Sequence, residues 1–227
     1  MFDREEKLIG RDNLNEISKK CVVVVGLGGV GGYAVESLVR SGIGKIILVD
    51  YDTIDLTNLN RQIITNQNNI GKYKTDEMAD RIKSICPNCQ VIKFTKRLEL
   101  NNIDELFLYS FDYLIDACDT VIIKQELIRK CLEKSIKFIS SMGTGNKLEP
   151  SLLEVTDIRN TSYDPIAKRI RKYLKENHIY GKVFVVYSKE KRDKFEGSIP
   201  SMMFVPATSG LLCANFVIKD IISTCKK

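Results

Sequence analysis

The stretch Cys21 to Asp52, CVVVVGLGGVGGYAVESLVRSGIGKIILVDYD, decides the fold. Apolar residues Cys21 to Val25 run directly into Gly26-Leu27-Gly28-Gly29-Val30-Gly31, and Ala34, Leu38 and Val39 then recur at helical spacing. The order is strand, tight turn, helix. A second apolar run, Ile46 to Val49, ends on Asp50, where a βαβ nucleotide unit sets a carboxylate against a ribose. The glycines permit a sharp turn and a close backbone approach to a ligand, while the unpaired N–H groups of the new helix attract phosphate. Gly28 and Gly29 are the expected points of contact, with Gly26 making the turn. Taken alone, this pattern fits a generic dinucleotide fold that binds NAD equally well.

Outward from that unit, strands and helices alternate. Residues 4 to 20 read as a leader in which Leu14 and Ile17 suggest one short helix entered at Asp12 or Asn13. Thr53 to Gln62, TIDLTNLNRQ, is polar, aperiodic and rich in groups that bind anions, as functional loops are. A helix through Met78, Ile82 and Ile85 follows and stops at Pro87. Strands are expected over 90–95, 111–116 and 137–141, with helices over 102–108 and 120–135. Asp119 follows the fourth strand at its C-terminal end, the edge at which open parallel sheets bind ligands, so it belongs beside the glycine turn.

After Met142 the rhythm changes. SMGTGNKLEPS is a glycine-rich crossover, followed by strands over 153–158 and 182–188, a basic helix over 164–177, a charged loop over 189–201 expected to be disordered, and an apolar helix over 207–223. The expected architecture is a Rossmann-like, doubly wound, mostly parallel α/β sheet whose C-terminal part extends the same sheet. One domain spans residues 1–227, with a nucleotide-binding core over 1–145 and the extension over 146–227.

Composition limits the function classes. The chain has 227 residues with 44% hydrophobic and 28% charged content, enough to bury a substantial core. No apolar run approaches the ~18 to 20 residues that span a bilayer, and MFDREEKLIG lacks a signal-peptide core, so the expected location is the cytoplasm. The net charge of +6, concentrated in PIAKRIRKYLKENHIYGK and YSKEKRDK, points to an anionic partner. Seven cysteines read as reduced thiols, and Cys86-Pro-Asn-Cys89 as a helix-end turn, because no second Cys-x-x-Cys pair and only one histidine, His178, are present to complete a zinc site.

Five spaced motifs carry a resemblance: Gly26-x-Gly28-Gly29-x-Gly31, Asp50-x-Asp52, Asn58-Leu59-Asn60-Arg61-Gln62, Gly71-x-x-Lys74 and Asp116-x-x-Asp119. Over about residues 4 to 145 the chain resembles the ubiquitin-activating-enzyme-like adenylyltransferases, which join a carboxylate to the α-phosphate of ATP. The chemistry agrees, since such an enzyme must neutralise a triphosphate, orient it and stabilise departing pyrophosphate. The resemblance implies that Arg61 and Lys74 supply positive charge to ATP, that Asn58 and Gln62 line the nucleotide with Asp52, and that Asp50 takes the ribose hydroxyls. It further implies that Asp119 holds Mg²⁺, an ion that takes oxygen ligands and shares itself with phosphates. It also implies a homodimer in which Arg4 reaches the neighbouring subunit's ATP. A hydride-transfer enzyme needs no such cationic set, which argues against NAD.

A narrower resemblance rests on Ser140-Ser141-Met142-Gly143-Thr144-Gly145-Asn146-Lys147-Leu148-Glu149-Pro150, Glu154-Val155-Thr156-Asp157-Ile158 and Asp164-Pro165-Ile166-Ala167, with Val185 to Ser188 and Phe204 to Ala207 beyond. These segments look like the tRNA threonylcarbamoyladenosine dehydratase branch. That branch implies ATP-dependent adenylation of the threonyl carboxylate beside the anticodon, followed by ring closure of the neighbouring carbamoyl group and loss of AMP. It requires no enzyme thiol, and Cys118, Cys131 and Cys213 read as packing residues. Lys168, Arg169, Arg171, Lys172 and Lys175 would form one helical face against the tRNA backbone, with Lys147 a further contact. A cysteine desulfurase is a partner suspected for some relatives, marked by no motif here. The alternatives are an activator of a ubiquitin-like sulfur carrier, whose zinc motifs are missing, and a non-enzymatic nucleotide-binding scaffold.

Overall fold

The computed structural model describes residues 1–191, 195, 197 and 199–224. The leader forms two helices, α1 (Asp3–Ile9) and α2 (Arg11–Lys19), rather than one entered at Asp12 or Asn13. Gly10, at φ +84°, makes the break, and the Asn13 amide is spent on the Ile9 carbonyl at 2.6 Å instead of capping a helix.

The opening unit then runs β1 (Cys21–Val25), α3 (Gly31–Arg40) and β2 (Lys45–Val49), as the periodicity requires. Next come α4 (Lys74–Ile85), β3 (Gln90–Phe94), α5 (Ile103–Leu106), β4 (Tyr113–Asp116), α6 (Val121–Glu133) and β5 (Lys137–Ser141). The second half adds β6 (Leu153–Asp157), α7 (Pro165–Glu176), β7 (Phe184–Ser188) and α8 (Phe204–Thr224). The fourth strand starts at Tyr113, two residues later than expected, and the exposed Asp112 at its head accepts the Cys21 N–H with its carboxylate at 2.8 Å. The last helix starts three residues earlier than its apolar run because Pro206 sits in the first turn, where a missing N–H costs nothing.

The seven strands lie in the order β3-β2-β1-β4-β5-β7-β6, all parallel except β6, which runs antiparallel to β7 at the edge. Both faces are covered, so β1 is buried along its whole length, and alternate residues serve two cores. Val22 and Val24 meet α2, α3, α4 and α8, whereas Val23 and Val25 meet α5, α6 and α7. The extension of one sheet through the C-terminal half is as expected. The charged loop expected to be disordered falls partly on residues 192–194, 196 and 198, outside the described residues.

By length and composition α8 could cross a membrane, contrary to the expectation that nothing here would. Cys213, Ala214, Val217 and Ile221 are buried, and a Cβ on Gly210 would lie 2.2 Å from the Val30 carbonyl oxygen of the neighbouring helix. The helix is a core element wedged against α3.

The chain leaves β1 toward β2 and β3, then returns to build β4 and β5 on the other side. This reversal puts the C-terminal ends of β1 and β4 side by side, a topological switch point. Ala117 N–H donates to Val25 O at 2.8 Å, and Gly26 N–H to Val49 O at 2.8 Å, which ties the three strand ends together.

Candidate functional site

At the switch point the strand ends open into a cavity of about 360 Å³. Gly26, Gly28 and Gly29 line it from the turn, Asp50 and Asp52 from the end of β2, Asn58, Arg61 and Gln62 from the polar loop, Lys74 from the start of α4 and Asp119 from the loop after β4. Five motifs scattered over 94 positions of sequence thus face one space.

The glycines are needed for different reasons. Gly26 has φ +87°, and a Cβ there would lie 2.8 Å from the Ala117 carbonyl oxygen; at Gly31 it would lie 1.7 Å from the Gly26 oxygen. Those two positions make the turn itself. Gly28 has only the Gln62 side-chain nitrogen within reach, at 3.8 Å, so its bareness leaves room on the cavity side.

Asp50 is largely buried. Its Oδ2 accepts Leu27 N–H at 2.6 Å and its Oδ1 accepts Asp52 N–H at 2.8 Å, so the carboxylate is fixed in place with lone pairs to spare. Burial raises its pKa, against the opposing pull of Lys74 and the two amides. Lys74 is 5% exposed, and its Nζ pairs with Asp52 Oδ2 at 2.9 Å. Arg61 Nη1 donates to Thr57 O at 2.7 Å and Asn60 Oδ1 at 2.9 Å, which fixes its guanidinium, while the stem and backbone oxygen of Arg61 lie against Gly29.

Asn58 closes a short 3₁₀ turn, Leu56–Asn58, by a capping box with Asp55: its Oδ1 accepts Asp55 N–H at 3.2 Å. Its NH₂ has only a long contact to Thr57 Oγ1, at 3.5 Å. Gln62 is buried, and its side-chain oxygen has no hydrogen-bond partner, an orphan of the kind a bound ligand satisfies.

A buried network lies beside the cavity. Asp116, at the end of β4, meets Lys124 of α6, whose Nζ lies 3.0 Å from Oδ2, while Ser140 Oγ donates to the same oxygen at 2.5 Å. Burial acts to lower the lysine's pKa, but the facing carboxylate outweighs it and the net shift is upward. Cys118 Sγ donates to Asp116 Oδ1 at 3.1 Å. Burial and the adjacent Asp116 charge push that thiol well above its ordinary value, so it is a poor nucleophile although it lines the cavity. Cys131 and Cys213 are core residues whose thiols burial pushes up to about 12.

Other expected contacts lie elsewhere. Arg4 is exposed on α1 and does not line this chain's own cavity. Lys147 Nζ is taken up by the Glu190 carbonyl. On α7, Lys168, Arg169, Lys172 and Lys175 are exposed, but Arg171 is not part of that face. It folds back to donate to Ile158 O at 3.3 Å, Thr161 O at 3.1 Å and Thr161 Oγ1, because the opposite side of the helix, Ala167, Ile170 and Leu174, is the one that packs. His178 is exposed just past the helix at φ +52°. The Cys86 to Cys89 turn closes on its backbone, Cys89 N–H to Cys86 O at 3.0 Å, and no cluster of metal-binding side chains occurs among the described residues.

Sequence reasoning missed Lys96 and Arg97, Thr144, and Ser201 with Pro206, all of which line the cavity. The first pair follows β3 at its C-terminal end and could have been found by the rule that located Asp119. Ser201 and Pro206 arrive through the placement of α8, which leaves no local signal.

A glycine turn at a switch point, a fixed carboxylate after β2 and the cations of Arg61, Lys74, Lys96 and Arg97 on the same space are the features of a nucleotide-binding α/β protein. A model described as the ThiF family matches residues 2–219, and the chain belongs to the ThiF family. The tRNA threonylcarbamoyladenosine dehydratase of Bacillus subtilis (strain 168) is 37% identical over 239 residues, covering 97% of this chain and 94% of that protein. Among solved structures, Escherichia coli tRNA N6-threonylcarbamoyladenosine dehydratase in complex with ATP superposes with a TM-score of 0.93 at 32% identity, covering 99% of this chain and 95% of that one. The same enzyme in complex with AMP gives 0.91 at 32% identity, covering 97% and 93%.

Proposed function

We infer that this chain is an ATP-dependent tRNA threonylcarbamoyladenosine dehydratase. The observation that carries the reading is the joining of Arg61, Lys74 and Asp119 with the glycine turn around one cavity, in a chain whose near full-length relatives bear that name. The sulfur-carrier alternative is disfavoured by those same relatives.

The reaction has two steps. The threonyl carboxylate attacks the α-phosphorus of ATP, forming a P–O bond and releasing pyrophosphate. The carbamoyl group then attacks the acyl carbon of the mixed anhydride, closing the ring and expelling AMP, so that water is lost overall at the expense of ATP. In this reading the Gly28 and Gly29 turn and the start of α3 take phosphate, Asp50 holds the ribose, and Asn58 offers its weakly engaged NH₂ to the nucleotide. Arg61 and Lys74 offset the charge that builds on the phosphates. The raised thiol pKa values suit a route with no covalent enzyme intermediate.

Asp119, exposed and without a cationic partner among the described ion pairs, fits a magnesium ion, which needs only one or two carboxylates when phosphates supply the rest. Bound there, the ion would neutralise phosphate charge. Arg4, exposed and not lining its own cavity, suits a role across a homodimer. Lys168, Arg169, Lys172 and Lys175 suit the tRNA backbone, with Arg171 left out, and the enzyme would work in the cytoplasm where its tRNA is found. A cysteine desulfurase partner has no structural support here.

The deciding experiment is AMP release with purified protein, ATP and tRNA that carries threonylcarbamoyladenosine. Release that requires the modified tRNA is expected. Release that instead requires a small protein ending in Gly-Gly would replace this reading with the sulfur-carrier one.

A further inference from the structure

The reaction steps above leave unused the buried ion pair between Asp116 and Lys124. Both side chains are 1% exposed. Replacing such a pair by apolar residues of similar volume is often neutral or stabilising, so stability alone does not account for it. An ammonium also offers directed donors, which an apolar residue lacks. Those of Lys124 reach two strand ends: Asp116 Oδ2 at 3.0 Å on β4, and Ser141 O at 2.8 Å with Ser140 Oγ at 3.4 Å on β5. The carboxylate is filled from its other side by Cys118 N–H at 3.2 Å and Sγ at 3.1 Å.

The consequence is geometric. Residues 117–120, which all line the cavity, are closed into a loop whose two flanks are clipped to each other and to β5. Ser141 Oγ shares a hydrogen bond of 2.8 Å with Ser209 Oγ, so the clip continues into α8, whose first turn brings Pro206 to the cavity. We propose that Lys124 is a positioning residue: its buried ammonium holds the 117–120 loop in register, so that Asp119 faces Arg61 and Lys74 across the nucleotide. The inference rests on the dehydratase reading.

The test compares wild type, Lys124→Met and the charge-neutral pair Asp116→Asn with Lys124→Met in three measurements: melting temperature, AMP affinity by titration without turnover, and kcat with KM for tRNA-dependent AMP release. Lys124→Met alone should be destabilised, because it leaves a buried carboxylate unpaired. The pair should recover most of the melting temperature and bind AMP within about threefold of wild type, yet keep a kcat lower by about tenfold or more. A pair whose kcat returns with its stability would reduce Lys124 to a structural residue and overturn the proposal. Should neither variant fold, Lys124→Gln keeps a buried donor but removes the ammonium; the same split supports the proposal, and an unchanged kcat overturns it. A wild-type protein with no AMP release refutes the functional reading and this inference with it. An active wild type beside a fully active folded pair refutes this inference alone.

Discussion

Lys74 Nζ stands 2.9 Å from Asp52 Oδ2, with the lysine side chain 6% exposed and the aspartate 46% exposed. The ammonium is therefore fixed by a partner that water and ligand can still reach. A polyphosphate entering the cavity would meet a charge already oriented, and the reorganisation it would otherwise require would be avoided. Replacing Lys74 with Ala should lower kcat for AMP release by about 10²- to 10³-fold, the usual loss for one preorganised charge-stabilising donor. Arg61→Lys should be nearly as damaging, because Arg61 holds Thr57 O and Asn60 Oδ1 and still presents free N–H groups, which a point charge cannot do. Steady-state assays at saturating ATP check both.

The glycine turn predicts a split between folding and binding. Gly31→Ala drives a Cβ to 1.7 Å from the Gly26 oxygen and should fail to fold or melt far below wild type. Gly28→Ala meets nothing closer than 3.8 Å, so its melting temperature should stay near wild type while nucleotide affinity falls by about tenfold, ~1.4 kcal/mol. Thermal melts and ATP titrations of the two variants check this.

Asp50 sets a pH dependence of defined sign. Burial raises its pKa in the folded state, so between the unfolded value near ~4 and the raised one the folded protein binds more protons. Its contribution to stability is greatest below that window and is lost as pH rises through it, after which it is flat. Urea unfolding of wild type and Asp50→Asn should show wild type losing stability relative to the variant as pH increases across the window. A gain would contradict the assignment.

The exposed face of α7 and its inward arginine should behave differently. Removing Lys168, Lys172 and Lys175 together should lower the slope of log affinity for tRNA against log salt by about 2 to 3, close to one unit per lost phosphate contact. Arg171→Ala should leave the slope unchanged and instead lower the melting temperature, by ~2–4 °C for each kcal/mol lost. Filter-binding titrations across a salt series, with melts alongside, separate the two.

Much of this molecule is written locally. The run Cys21 to Val25, the glycines after it and Asp50 after the second strand specify a βαβ unit, because strand and helix periods and the φ of Gly26 are properties of neighbouring residues. From that unit and the alternation that follows, the parallel sheet and the C-terminal edge carrying the site could be read. The motif residues Asn58, Arg61, Gln62, Lys74 and Asp119 were legible through the spaced motifs that carry the family resemblance, and the polar loop over 53–62 and the strand end before Asp119 also marked them locally.

Other features are decided by packing between distant segments. Whether Arg171 faces solvent or folds onto the Thr161 carbonyl depends on which side of α7 meets the sheet, and the five basic residues between Lys168 and Lys175 look alike in sequence. The break at Gly10, the arrival of Ser201 and Pro206 at the cavity, and the hidden pairing of Lys124 with Asp116 likewise depend on partners brought near by chain crossings. A sequence fixes what each residue is able to donate, accept or bury; only the closed sheet, by excluding water from some places and not others, determines which of those capacities is used.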